Sequence, residues 1–274
     1  MNGLEVRVAE WAAGEENVRA AALVGSRARV DVPADEWSDY DIVLFARDPA
    51  ALIVRDDWVG TFGPARLTFI EPTAVGDQLE RRVLYEDGTD VDFAIVPIDL
   101  LEHPAVAQVG SRGIRVLVDK DGGLAARIAD LPEPAPPQPP DDAALRELTA
   151  DFFYHAVWSA KKLRRGEVFT AKRCVDSYME NVLLRIMEWR TRAADPSVDT
   201  WHSGRFVERW ADPMALGEFE RTFAAYDEAD VRRALFASME FFRRQARETA
   251  DLLRLAYPAA EDQFASDLVK RLLA

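Results

Sequence analysis

The sequence predicts an α+β protein in two parts, a mixed β-sheet packed with helices followed by an all-helical segment. Three observations carry this. Up to residue 130, short apolar or alternating runs suited to strands are interleaved with stretches of helical periodicity. Residues 131–140, LPEPAPPQPP, place six prolines in ten positions, a composition that favours an extended, stiff connector over a packed core. From Asp141 onward helical spacing runs almost to the end. The predicted division is therefore 1–130, a linker at 131–140, and a helical domain at 141–274.

Within the first part, Leu4, Val8, Trp11 and Ala12 fall at helical spacing, and NVRAAALVG reads as a buried strand running into Gly25. The DYDIVLF run follows as a second strand. Asp48 and Pro49 supply an N-cap and a first-turn proline for a short helix. LTFIEP, ERRVLYEDG and VDFAIVP read as strands, the last two joined by a turn at Asp87-Gly88, and RGIRVLVDKDG as one more. In the second part the periodicity predicts helices over 141–165, 167–193, roughly 203–224, 228–256 and 260–273, punctuated by Pro196, Pro213 and Pro258.

Composition narrows the function. No run of about 18 apolar residues exists, so no membrane span is expected, and the acidic amphipathic N-terminus lacks the pattern of a signal peptide. A cytoplasmic protein is expected. One cysteine and three scattered histidines exclude an internal disulfide and a Cys/His zinc set. Of the net charge of −14, residues 1–140 carry −12, from 13 basic and 25 acidic side chains. Such a surface disfavours a nucleic-acid partner and favours a small cationic one.

The stretch from Gly25 to Phe45 concentrates the chemistry. Gly25 and Ser26 end a buried strand in a turn where backbone N–H groups and a hydroxyl can approach phosphate. Thirteen residues on, Asp39 and Asp41 alternate into a strand, so both carboxylates share a face and can reach one ion. A third carboxylate is expected on a neighbouring strand. Asp92, followed by four apolar residues, fits it better than Asp90, which lies by the turn. Two or three carboxylates are what Mg²⁺ takes alongside phosphate and water, and this set suits transfer of a nucleotidyl group.

These segments resemble the aminoglycoside 6-adenylyltransferases, also called streptomycin adenylyltransferases, of the nucleotidyltransferase superfamily. The likeness runs through GSR and DYDI, then DDWVGTFG, VLYEDGTDVDFAIVP and VLVDKDG, and on through FFYHAVWSAKKLRRGEVFTAK and ENVLLRIMEW, in the family's order. It implies a polymerase-β-like nucleotide domain followed by a helical domain, with ATP and Mg²⁺ as co-substrates and an antibiotic hydroxyl as acceptor. Gly25, Ser26 and Arg27 match the family's phosphate turn, Asp39 and Asp41 its metal pair, and Asp92 its third carboxylate, as metal ligand or as acceptor of the hydroxyl proton. Lys161 and Lys172 match family lysines that would suit a triphosphate. Where the family has Asn-Glu-Phe-Trp-Trp, this chain has Ala150, Asp151, Phe152, Phe153 and Tyr154. On a helix Asp151, His155 and Trp158 share a face that suits a cationic, ring-bearing acceptor, and Asp151 is a second candidate for the base.

The leading expectation is therefore adenylylation of an aminoglycoside-like compound, an antibiotic-resistance activity. Transfer to a lincosamide or a protein hydroxyl is the alternative within the fold, and a silent nucleotide-binding module is the alternative outside catalysis. Three carboxylates repelling one another with no ion between them argue against the last.

Overall fold

The computed structural model describes residues 3–29, 34–73, 78–131, 138–200 and 203–274. The chain divides into two compact units, Met1–Pro136 and Pro137–Ala274. Residues 132–137 of the predicted linker lie outside the described residues.

The first unit runs α1 (Gly3–Gly14), β1 (Val18–Val24), β2 (Tyr40–Ala46), α2 (Pro49–Ile53), β3 (Ala65–Pro72), β4 (Leu79–Tyr85), β5 (Asp90–Pro97), α3 (Pro104–Gly110), β6 (Arg115–Asp119) and α4 (Gly123–Ala129). The strands form one mixed sheet in the order β3-β4-β5-β2-β1-β6. Every neighbouring pair is antiparallel except β2 with β5, which are parallel. The predicted α+β architecture is the one observed. Asp87-Gly88 makes the expected turn between β4 and β5, with Gly88 at φ 85° donating its N–H to the Tyr85 carbonyl.

Strand alternation gives the sheet two apolar faces. On one, Leu23, Ile42, Leu44, Phe93 and Ile95 pack with Val8 and Ala12 of α1 and with Trp58 and Phe62. The last two come from a 3-10 segment, Asp57–Phe62, where Trp58 stacks on Trp11 and meets Phe93 edge-on. On the other face Ala20, Ala22 and Phe45 pack with Leu124 of α4, alongside Val43, Val96, Val106 and Ile114. The short helices α3 and α4 that cover this face were not predicted.

The second unit contains α5 (Asp142–Arg164), α6 (Val168–Arg173), α7 (Glu180–Ala194), α8 (Val207–Trp210), α9 (Pro213–Phe219), α10 (Glu228–Leu253) and α11 (Ala259–Leu273). Asp141, Asp212 and Asp227 cap α5, α9 and α10 through their side chains. Phe152 of α5 stacks on Phe242 of α10 at 4.1 Å between centroids, in a core shared with Leu183 and Val269. The helix predicted over 203–224 is broken instead. Phe206 takes a left-handed φ of 57° before α8, and Asp212-Pro213 starts α9 afresh. Between α6 and α7 the chain passes through one π-helical segment, Cys174–Met179, which turns the faces of the two helices relative to an unbroken α-helix.

Candidate active site

The turn after β1 and the first residues of β2 are built against each other. β1 pairs with β2 so that Val24 lies opposite Asp41. The next residue, Gly25, opens a single 3-10 turn, Gly25–Arg27, with φ at 66°. A Cβ at Gly25 would sit 1.8 Å from Asp41 Oδ2, so the carboxylate occupies the space that any other residue's side chain would need. Glycine is required here twice over, by its backbone conformation and by this approach. The Ser26 hydroxyl is buried and has no hydrogen-bond partner among the described residues, which leaves a donor and acceptor for a ligand.

Asp41 and Asp92 come together through the parallel pairing of β2 and β5, in which they are directly opposite. Asp39 precedes β2 on the same face. One oxygen from each of Asp39, Asp41 and Asp92 lies within 4.8 Å of the other two. Burial pushes the Asp41 carboxyl up to about 7, and the charges of Asp39, Asp92 and Glu80 add to this while Arg82 opposes it. Asp92 and Glu80 are also raised, in each case first by burial. A half-buried set of carboxylates that resist ionising together is the donor set a hard divalent cation satisfies. The three residues therefore fit the magnesium implied by the resemblance. Asp41 and Asp92 line a cavity of about 180 Å³ whose remaining wall is mostly apolar, including Val43, Phe45, Val96, Val106 and Ile114.

Arg27 is engaged in holding the loop. Its Nε donates to the carbonyls of Ser38 and Asp39 at 2.9 and 3.0 Å, and its guanidinium lies 4.0 Å from the Tyr40 ring centroid. It thereby fixes the approach to Asp39 and Asp41. Asp90 begins β5 as an exposed residue opposite Leu84, apart from the three clustered carboxylates.

Two groups at this site were not singled out from the sequence. Arg82 of β4 lies opposite Asp92 of β5 and donates to its Oδ2 at 2.5 Å. Glu80, also on β4, lines the same cavity as Asp41 and Asp92. Neither strand taken alone shows this pairing, although the period of two in ERRVLY does put Glu80 and Arg82 on one face.

In the helical unit, Asp151 and His155 of α5 are joined, with His155 Nδ1 2.9 Å from Asp151 Oδ1. Tyr178, from the π-helical segment, donates its hydroxyl to the same oxygen at 3.0 Å and packs its ring 4.0 Å from the imidazole. With the exposed Tyr154 against His155, this makes an aromatic-walled carboxylate. Trp158 is partly buried against the helical core and carries Lys162 over its ring at 5.0 Å. Lys161 is exposed. Lys172 is paired with Asp176 and donates to the Ala224 carbonyl at 2.6 Å, which ties it to the helical scaffold.

Among the described residues no helix is long and apolar enough to cross a membrane. Comparison with known proteins finds relatives along nearly the whole chain. An aminoglycoside 6-adenylyltransferase of Bacillus subtilis (strain 168) is 23% identical over 257 residues, covering 91% of this chain and 89% of its own. Another, from Staphylococcus aureus, is 24% identical over 265 residues, covering 93% and 92%. The crystal structure of an aminoglycoside 6-adenyltransferase from Bacillus subtilis aligns over 99% of each chain, with 19% identity and a TM-score of 0.49. The family model described as streptomycin adenylyltransferase matches residues 4–272, from the first turn of α1 to the last of α11. With nearly its whole length matched, and with Gly25, Asp39, Asp41 and Asp92 gathered in one place, the chain belongs to the streptomycin adenylyltransferase family.

Proposed function

We propose that this protein transfers AMP from ATP to a hydroxyl of an aminoglycoside-like small molecule and releases pyrophosphate. The observation that carries the reading is the Asp39, Asp41 and Asp92 cluster held against the Gly25-Ser26 turn. The relatives' names supply the acceptor class. Membership of the family supports ATP as donor.

The acceptor oxygen attacks the α-phosphorus, and a new P–O bond forms as the bond to the pyrophosphate oxygen breaks. Magnesium, when bound, neutralises the charge that moves onto the phosphate oxygens. Asp39, Asp41 and Asp92 would hold it. Ser26 and the backbone of its turn bind phosphate oxygens, and Arg27 keeps the loop leading to Asp39 in register. The exposed ammonium of Lys161 offers a further cation for phosphate. Asp92 and Asp151 are the two carboxylates available to take the hydroxyl's proton. In the helical unit, Asp151 with Tyr154, His155 and Tyr178 gives a cationic acceptor a charge partner and aromatic contacts. We further propose that 1–130 and 141–274 act as nucleotide and helical domains joined by 131–140, and that the enzyme works in the cytoplasm, where ATP is supplied.

The test is incubation of the purified protein with Mg²⁺, ATP or GTP and a panel of aminoglycosides and lincosamides, followed by mass spectrometry. An increase equal to an added AMP on an aminoglycoside, lost when Mg²⁺ is chelated, is the expected result. Adducts confined to a lincosamide or to protein, or nucleotide binding with no adduct on any acceptor, would replace this reading with one of its alternatives.

A further inference from the structure

Arg82 is placed where it acts on both the sheet and the carboxylate cluster. Its Nε lies 2.9 Å from Glu71 Oε1 on β3 and 3.3 Å from Glu80 Oε1 on its own strand, and its Nη2 lies 2.5 Å from Asp92 Oδ2 on β5. Glu71 and Glu80 are directly opposite in the β3/β4 ladder. Like charges in that position repel, so three neighbouring strands present carboxylates that one guanidinium ties together. Asp41, on β2, extends the same acidic row by one more strand. The side chains of Glu80 and Asp92 are mostly buried, at 15% and 11% exposed, which raises the worth of a cation beside them.

Arg82 also draws on the geometry of guanidinium. Its single Nε–H faces Glu71 and Glu80, donating to Glu80 with Glu71 at ion-pair distance, and its Nη2 donates to Asp92, so the three carboxylates gather around a single planar group. A carboxylate has two oxygens, and pairing Oδ2 of Asp92 with Arg82 leaves the other for an ion.

We propose that Arg82 is a positioning residue of this site: it orients Asp92 and stands in for part of a divalent ion's charge, so that it sets how tightly the carboxylates bind the ion before nucleotide arrives. The proposal rests on the metal-dependent reading above. Its physical content is a competition. A fixed positive charge beside the cluster lowers the field that attracts a cation, and removing it deepens that field. Even at the dielectric of water, a unit charge about 6 Å from a divalent ion changes affinity about tenfold.

The experiment uses the full-length protein, with Mn²⁺ binding followed by electron paramagnetic resonance in the absence of nucleotide. Arg82→Gln removes the charge and is expected to bind Mn²⁺ about tenfold more tightly than wild type. In EDTA the same variant should melt at a lower temperature, because Glu71, Glu80 and Asp92 are left unpaired, and Mn²⁺ should raise its Tm by more than it raises that of wild type. Arg82→Lys keeps the charge but loses the fork. It should bind Mn²⁺ within about twofold of wild type while its kcat falls about tenfold at unchanged KM for ATP. This variant carries the test if Arg82→Gln does not fold. Unchanged or weaker Mn²⁺ binding in a folded Arg82→Gln, or a wild-type kcat in Arg82→Lys, overturns the role of Arg82 and leaves the proposed reaction standing. A wild-type protein that binds no Mn²⁺ and transfers AMP in EDTA overturns both.

Discussion

Replacing Gly25 with alanine tests the site at its narrowest point. The new Cβ would lie 1.8 Å from Asp41 Oδ2, whereas real Cβ contacts stay beyond 3.0 Å, so the carboxylate must retreat by about 1.2 Å or the turn must open by as much. The backbone adds a second cost. At φ 66° an alanine is disfavoured by about 1 kcal/mol relative to glycine. A penalty of that size lowers Tm by about 3–6 °C and leaves the sheet folded. With Asp41 an ion ligand, as proposed, misplacing its carboxylate by about 1 Å is expected to lower turnover about 100-fold. Circular dichroism melts and a coupled pyrophosphate-release assay measure the two effects separately. Turnover within threefold of wild type, with the fold intact, would refute the claim that Gly25 exists to let Asp41 approach the turn.

Three further outcomes follow from other parts of the molecule. Asp39→Asn and Asp41→Asn should each abolish Mg²⁺-dependent pyrophosphate release with native circular dichroism, and full activity in either would remove it from the ion site. Asp151→Ala should raise the acceptor's KM or lower kcat with little change in ATP binding, while Tyr178→Phe, which loses only a hydroxyl donor to Asp151, should shift acceptor KM by a few-fold; equal effects on ATP would place both residues elsewhere. In the helical core, burial pushes the Asp262 carboxyl up, but hydrogen bonds from Arg243, Tyr257 and Ser266 outweigh this and hold it below the ordinary carboxylate value. Its stabilisation is therefore complete above about pH 4 and lost as the pH falls through its depressed folded value. Urea unfolding from pH 6 to pH 2 should show this acid limb in wild type and a flatter one in Asp262→Ala, which should also lose about 3 kcal/mol at neutral pH by leaving Arg243 unpaired.

How much of this was legible in the sequence depends on how local each feature is. Asp39 and Asp41 declare themselves because alternation along one strand is enough to place both on a face. Asp90 shares that face with Asp92, so alternation does not separate them; Asp92 was preferred because four apolar residues follow it directly, whereas Asp90 lies by the Asp87-Gly88 turn. Arg82 was not legible, since its importance comes from Glu71 and Asp92 on two other strands and from a register that neither strand encodes alone. Tyr178 escaped because a π-helical segment breaks the helical spacing by which its face would be read. The break in the helix over 203–224 carried one visible signal, the Asp212-Pro213 cap, and one hidden one, the left-handed turn at Phe206.

The register of β2 against β5 shows why the fold and the site cannot be specified independently. Ile42 and Leu44 of β2 and Phe93 and Ile95 of β5 are buried on one face of the sheet, with Phe93 set against Trp58 and Phe62. Parity then forces Asp41 and Asp92 onto the other face, opposite each other. Turning β5 over by one residue would carry Asp92 into that aromatic cluster and bring Phe93 out beside Asp41, burying a charge and exposing a phenyl ring together. Each buried phenylalanine or isoleucine contributes about 1.5–3 kcal/mol of apolar transfer, so the four residues that fix this parity outweigh the repulsion between the two carboxylates they bring together. The hydrophobic core thus holds in place a pair of carboxylates that would otherwise separate, and the cation proposed for this site would relieve the repulsion that the core imposes.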